Sequence, residues 1–405
     1  MESVTRREFV GAAGAATIIT ARGYSQVAGA GERIRIGVIG CGGMATDHMK
    51  SLVKMREKDN LEIVAVCDLF DKRTEAAAKL TGGRPYKDYR QVLALKEVDY
   101  VLIAVTEHWH YQIAMDAAAA GKHMYCEKPM TRTSEQAKRL VARVNATKVK
   151  LQVGVQGMSD DSYETANKYL RDGTLGKVVI AQICYSRNHK DDFWAYPIDD
   201  DAKPGVNLDW KTWLGKAPKR PWDPNRFFRW RCYWDYSSGI ASDLFVHRVT
   251  RIIKALGLTF PERGVASGGN WFFKKAEVPD TFNILLDYPD GPTVLLVSSM
   301  ANDTAVEHVL RGHKATLRFT RTGFAIEPQR LFAKEVKPFE HKKTGAENVE
   351  LHHRNLQGAI RRNEPLKCDH MLGYYGVVAC EIGIESFRRQ QYMKWDRSRE
   401  RIVKA

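Results

Sequence analysis

Ile34-Arg35-Ile36-Gly37-Val38-Ile39-Gly40-Cys41-Gly42-Gly43-Met44-Ala45 is the stretch on which the reading of this chain turns. A short apolar run leads directly into glycines spaced G-x-G-x-x-A, the pattern that converts a buried strand into a helix around a pyrophosphate. Gly40 permits the tight turn and Gly42 lets the backbone approach the phosphates. Gly43 and Met44 carry N–H groups at the helix start, where they can meet an anion. Ala45 allows that helix to pack closely.

The following segments fit the same architecture. Leu61–Cys67 reads as a second strand ending at Asp68, the place for a carboxylate that bonds the adenosine ribose hydroxyls. A 2′-phosphate there would meet like charge, so NAD is expected over NADP, although Arg73 nearby keeps NADP open. Val98–Val105 is the next strand and delivers Thr106-Glu107-His108-Trp109-His110 to the carboxyl edge, where this architecture gathers ligands. Thr106, His110 and Tyr125 are candidates for the nicotinamide end, with a hydrogen-bonded structural role as the equal alternative for His110 and Tyr125. An Ala-rich helix over 111–120 leads to Glu127-Lys128-Pro129, and Leu151–Val155 completes a parallel sheet of about six strands.

Past Gly173-Thr174-Leu175-Gly176 the pattern changes to alternation. Strand candidates are 178–183, 282–288, 293–297, 315–319 and 324–326, separated by turns such as Pro289-Asp290-Gly291. The expected fold is α/β: a doubly wound Rossmann domain over 33–156, then an α+β domain over 157–390 with an open, largely antiparallel sheet. An aromatic, basic insertion occupies 186–236, and 391–405 is read as a tail. Self-association through the open sheet face is expected, as a dimer or tetramer.

Upstream, Thr5-Arg6-Arg7-Glu8-Phe9-Val10 precedes a weakly apolar Ala/Gly stretch and a small-residue run, Ala28-Gly29-Ala30. Residues 1–30 read as a twin-arginine leader, with cleavage before Gly31, that sends a folded protein through the twin-arginine machinery to the periplasm. Retention of the leader as a membrane tether is the alternative. The 375 residues that follow residue 30 of the 405 exceed one ordinary core and point to two domains. The net charge is +15; without Arg6, Arg7, Arg22, Glu2 and Glu8 it is +14, a balance that raises the odds of an anionic substrate. Basic residues are dispersed among acids, so nucleic acid is not an expected partner. The seven cysteines are odd in number and lack zinc spacing, so no metal is expected and buried thiols are.

The glycine fingerprint, Glu127-Lys128-Pro129 and the run Gly239-Ile240-Ala241-Ser242-Asp243-Leu244-Phe245-Val246-His247 occur in the order found in the Gfo/Idh/MocA family, the glucose–fructose oxidoreductase and inositol dehydrogenase group, which the chain resembles over roughly 33–390. The resemblance implies that Glu127 and Lys128 lie beside a nicotinamide. Lys128 would bond a substrate hydroxyl and stabilise developing oxyanion charge. Asp243 and His247, four apart on one helical face, would share a cleft with it, His247 as general base and Asp243 as positioning group. Trp230, Arg231 and Tyr233, directly before that motif, are candidates for a sugar pocket, whereas Trp210 and Trp213 read as core. Family members often place an aromatic or arginine contact just after the sixth strand; this chain has Gln156-Gly157-Met158. A metal role for His352-His353 is not expected, because adjacent helical side chains point apart.

The reaction so implied is hydride transfer between a pyranose or cyclitol CH–OH and tightly bound NAD. Export would leave no free pool for exchange, so the cofactor must be regenerated in place. A second carbonyl substrate could take the hydride back, or a transient 3-keto sugar could undergo elimination at C1–C2 and hydration, giving redox-neutral glycoside hydrolysis with Tyr233, His247 or Tyr125 as the base. A non-catalytic carbohydrate- or NAD-binding protein is the third reading.

Overall fold

The computed structural model describes residues 33–344 and 348–405; the leader read over 1–30 lies outside the described residues. Helices and strands alternate through the first domain: β1 Ile34–Ile39, α1 Gly43–Met55, β2 Leu61–Cys67, α2 Asp71–Thr81, β3 Arg84–Tyr86, α3 Tyr89–Ala94, β4 Tyr100–Ile103, α4 Glu107–Ala119, β5 His123–Glu127, α5 Ser134–Thr147 and β6 Leu151–Gly154. The six strands pair in the order β3-β2-β1-β4-β5-β6, every pair parallel. The order reverses between β1 and β4, which leaves a crevice at their carboxyl ends. Strand residues such as Ile36, Val38, Tyr100 and Leu102 are wholly buried, as strands covered by helices on both faces require.

Then follow α6 Asp161–Arg171, β7 Val178–Cys184, α7 Trp210–Leu214, α8 Pro224–Phe228 and α9 Val246–Leu256, the last entered through a π turn over Ala241–Phe245. The sheet continues with β8 Arg263–Gly269, β9 Thr281–Asp287, β10 Thr293–Ser299, β11 Val309–Gly312, β12 Ala315–Thr320, β13 Gly323–Pro328 and β14 Phe339–Lys342. After α10 Val349–Arg362 and α11 His370–Arg389 come β15 Met393–Asp396 and β16 Arg401–Lys404. The ten strands run β14-β13-β12-β11-β7-β10-β9-β8-β15-β16, antiparallel except between β7 and β10. Alternate residues of β9 and β10 are buried, those of β9 against α11, and the opposite face leaves Leu285 44% exposed.

Two departures from the sequence reading have simple causes. Residues 391–405 are not a tail: Met393 and Trp395 alternate into the core, so β15 joins β8 and carries β16 with it. The glycines of β8 disguise a strand whose backbone is crowded; a Cβ on Gly268 would lie 2.1 Å from the Thr281 carbonyl. All seven cysteines are buried free thiols, as expected.

The chain also returns to its first domain. Helix α10 packs on α1, β5 and β6, burying Leu356 with the β1–β4 core and pairing Arg354 with Asp59 at 3.0 Å. The aromatic insertion is fastened to the other side, where Phe70 packs with Trp213 and Phe227 and the Phe70 backbone pairs with Leu208.

Candidate active site

The glycine turn has the form a dinucleotide needs. Gly40 has φ +88°, and a Cβ there would lie 2.5 Å from the Ala104 carbonyl oxygen, so only glycine fits between β1 and β4. Over Gly43 a Cβ would meet nothing within 4 Å, and over Gly42 only Arg73, at 3.9 Å. No side chain caps the N-terminus of α1 and its first turn holds no acid, so Gly43 and Met44 present N–H groups to open space. Asp68 leans across the turn, its Oδ2 accepting from the Cys41 N–H at 2.7 Å and its Oδ1 from the Phe70 N–H at 2.9 Å. Arg73 lies over the ring of Phe227 at 5.0 Å, between the turn and the insertion. These residues fit a dinucleotide laid over the turn, with Asp68 beside its ribose.

Lys128 emerges from the end of β5, and the side chain is 11% exposed. Its Nζ donates to both the carbonyl oxygen and Oδ1 of Asp243, each at 2.7 Å. Arg231 Nε donates to the same Oδ1 at 2.9 Å, and the Arg231 guanidinium stacks over Trp230 at 4.2 Å. Asp243 sits inside the π turn, a widened helical geometry common where a side chain must be re-aimed. Burial would raise its carboxyl, but the adjacent charges of Lys128 and Arg231 hold it well below the usual carboxylate range.

His247 stands in the first turn of α9, its ring 6.3 Å from that of Tyr185. Its Nδ1 is buried without a hydrogen bond. Burial, followed by the charge of Lys128, pushes the imidazole well below its ordinary pKa and keeps it neutral. The structure therefore brings together Lys128, Asp243, His247, Arg231 and Trp230. Thr106 stands at the start of α4, on the same carboxyl edge, with its hydroxyl making no cap bond.

Four expected contacts belong to the scaffold instead. His110 is 1% exposed, and its ring nitrogens lie 2.6 Å from the Pro129 carbonyl and 3.1 Å from that of Val105, so it fixes the Lys128 turn from below. Glu127 is turned inward: its Oε1 meets His48 Nε2 at 2.9 Å and accepts from Gln156 at 2.6 Å. Tyr125 is fully buried, stacked on His353 at 4.2 Å and bonded by Gln156, which removes it as a candidate base. Tyr233 lies under the Arg226 guanidinium at 4.3 Å, within the ion network that Arg226 makes with Asp235 and Glu277. Trp210 and Trp213 stack on each other at 4.8 Å in the insertion core, as expected.

Two features escaped the sequence reading. His48, His353 and Tyr100 continue from Glu127 as a buried chain, with His48 Nδ1 2.8 Å from His353 Nε2 and the Tyr100 hydroxyl 3.3 Å from His353 Nδ1. With Glu127 ionised, one consistent assignment has Tyr100 donating to His353, His353 to His48, and His48 to Glu127. The partners are 305 residues apart in sequence, so no local pattern announces them. The second is Arg251, whose guanidinium fills the space of the missing side chain at Gly157: a Cβ there would fall 1.4 Å from Arg251 Nη2. The position after β6 is thus served from the facing helix.

Comparison with known proteins agrees with this layout. Residues 34–155 match the model of an oxidoreductase family's NAD-binding Rossmann fold, and residues 165–405 match that family's C-terminal alpha/beta domain. Inositol 2-dehydrogenase of Klebsiella pneumoniae is 30% identical over 158 residues, covering 38% of this chain and 46% of that protein. Inositol 2-dehydrogenase 2 of Saccharopolyspora erythraea is 34% identical over 149 residues, covering 36% and 43%. The chain therefore aligns with somewhat less than half the length of these relatives. Among solved structures, levoglucosan dehydrogenase in complex with NADH and levoglucosan superposes with a TM-score of 0.71 at 17% identity, over 89% of this chain and 99% of that one. The WlbA dehydrogenase from Bordetella pertussis, in complex with NADH and UDP-GlcNAcA, gives 0.69 at 20% identity over 90% and 99%. With both of its domains matched along nearly the whole described length, the chain belongs to the Gfo/Idh/MocA oxidoreductase family.

Proposed function

We propose that this chain is an NAD-dependent sugar oxidoreductase that oxidises a CH–OH group of a pyranose or glycoside and regenerates its cofactor in place. The observation that carries the reading is the Lys128–Asp243 pair beside a neutral His247 at the carboxyl edge of the nucleotide sheet. When bound, the nicotinamide supplies the hydride acceptor or donor. The protein's part is proton transfer, orientation and charge. Lys128 has three N–H donors, and Asp243 takes two of them, which leaves one to hold a substrate hydroxyl oxygen. Its ammonium offsets negative charge as that oxygen loses its proton. His247, held neutral, takes the proton at a ring nitrogen and returns it when the ketone is reduced. Asp243 anchors both cations, and Trp230 with Arg231 forms the wall a sugar ring would meet.

The leader motif and the names of the relatives support two further parts of this proposal: export in folded form, with NAD loaded beforehand and retained, and a sugar or cyclitol as substrate. The test is a panel of free sugars and aryl glycosides given to purified protein without added cofactor, following nicotinamide absorbance and aglycone release together. Reduction that stops after one turnover until a ketone is supplied supports the oxidoreductase. Aglycone release without net reduction replaces it with the redox-neutral glycosidase, and protein that works only with added NAD removes cofactor retention.

A further inference from the structure

Two guanidinium groups lie against one tyrosine beside His247. Arg248 is over the Tyr185 ring at 4.4 Å and Arg187 at 5.6 Å. Arg187 projects from backbone pinned on both sides, its N–H bonded to the Ser299 carbonyl at 2.9 Å and its carbonyl accepting from the Asn302 N–H at 3.1 Å. Neither arginine has a carboxylate partner among the described residues. The carboxylates whose charges reach His247 and Tyr163 are already engaged: Asp243 by Lys128 and Arg231, and Asp160 by Lys343 at 3.5 Å.

Two imidazoles complete the surroundings. His247 Nδ1 and His308 Nε2 are buried and make no hydrogen bond. Tyr185 joins the two arginines to His247, whose ring lies 6.3 Å from its own, and the Arg248 charge also reaches His308. Arg187 is exposed and Arg248 half-buried with one N–H on the Cys184 carbonyl, so both keep donors for a ligand, and an oxyanion would supply the counter-charge that neither finds among the described residues. Guanidinium pairs are suited to that chemistry because their N–H groups match carboxylate, sulfate and phosphate oxygens.

We propose that the cleft contains a subsite for an anionic substituent of the sugar, held by Arg187 and Arg248 over Tyr185 and flanked by His308. Tyr185 and His247 are close enough for one monosaccharide to touch both, so the oxyanion belongs to the ring being oxidised or is attached directly to it. The proposal rests on the sugar-oxidoreductase reading and deepens it by naming the substrate class.

The test is calorimetric binding of matched pairs to the NAD-loaded full-length protein: glucuronate against glucose, galacturonate against galactose, and glucose 6-sulfate and 6-phosphate against glucose. At least one acidic member should bind about tenfold more tightly than its neutral twin, the size of a charge-assisted contact. Arg187→Gln and Arg248→Gln should each remove most of that preference. Arg187 is exposed, so its variant should keep the wild-type melting temperature and serves even if the Arg248 variant fails to fold. Preference for the uronate identifies a planar oxyanion and preference for an ester a tetrahedral one; both uphold the subsite. Equal affinity for acid and neutral twins, no binding of any acid, or a preference unchanged in both variants overturns it. Neutral sugars oxidised without acidic preference would leave the oxidoreductase reading standing while the subsite falls. Acidic preference without cofactor reduction by any sugar would do the reverse.

Discussion

Lys128 Nζ is bonded twice to one residue, Asp243, through its carbonyl oxygen and its carboxylate, each at 2.7 Å. The lysine belongs to the nucleotide domain and the aspartate to a helix of the second domain, so the reacting ammonium is held by a contact across the domain boundary. Asp243→Asn keeps the shape but leaves the ammonium and the Arg231 guanidinium without a counter-charge. Breaking a buried pair of this kind costs about 3 kcal/mol. Urea unfolding should show a loss of that order, and turnover should fall at least tenfold because Lys128 is no longer aimed.

His247→Asn should lower kcat by ~10²- to 10⁴-fold, the usual weight of a positioned acid–base group, while equilibrium titration shows NAD still bound. The pH profile carries the more specific expectation. A neutral imidazole is the active base, and burial and Lys128 push its pKa down, so the acid limb of kcat/KM should lie below pH 6.5 rather than at it. An acid limb at or above pH 6.5 would remove His247 as the base.

At Gly40, alanine would have to adopt φ +88° with its Cβ 2.5 Å from the Ala104 oxygen. Strain of this kind costs about 2 kcal/mol where it can be borne at all. Thermal melting should show the loss, and the denatured variant should release much less nucleotide than the wild type.

His352 is fully buried and neutral, its Nε2 2.9 Å from the Val153 carbonyl and its Nδ1 2.9 Å from the Ser159 hydroxyl. Burial, partly offset by the Val153 contact, pulls its pKa from 6.5 to about 4. The unfolded chain therefore binds the proton more readily. Its contribution is complete above pH 6.5 and is lost as pH falls through 4, amounting to about 3 kcal/mol. Chemical denaturation between pH 7 and 4 should show that fall, and His352→Gln should flatten its share of it.

The parts of this site legible in sequence were those with local consequences. A glycine turn, a carboxylate at a strand end and an Asp/His pair four residues apart each leave a short pattern; Asp68 was read from such a pattern, whereas Lys128, Asp243 and His247 were singled out by resemblance to the family's motifs. Glu127 was misread because its partner, His48, is distant in sequence, and a motif shows spacing without showing direction. His110 faced the same ambiguity, since a polar residue at a sheet edge can turn up to a ligand or down to a carbonyl. In the second domain, glycine-rich β8 and the two closing strands were lost because crowded backbone and short length erase the alternation on which strand reading depends.

Helix α10 bears on how the molecule is made. Leu356 and His353 close the face of the first domain that carries Tyr100, Tyr125 and His48, all of them buried. The nucleotide-binding lobe is therefore not a self-sufficient module. Residues 33–156 leave the ribosome with one flank bare, and that flank stays unsealed until about two hundred further residues have been synthesised. Completion of the nucleotide domain is tied to one late event, the docking of a segment near the C-terminus.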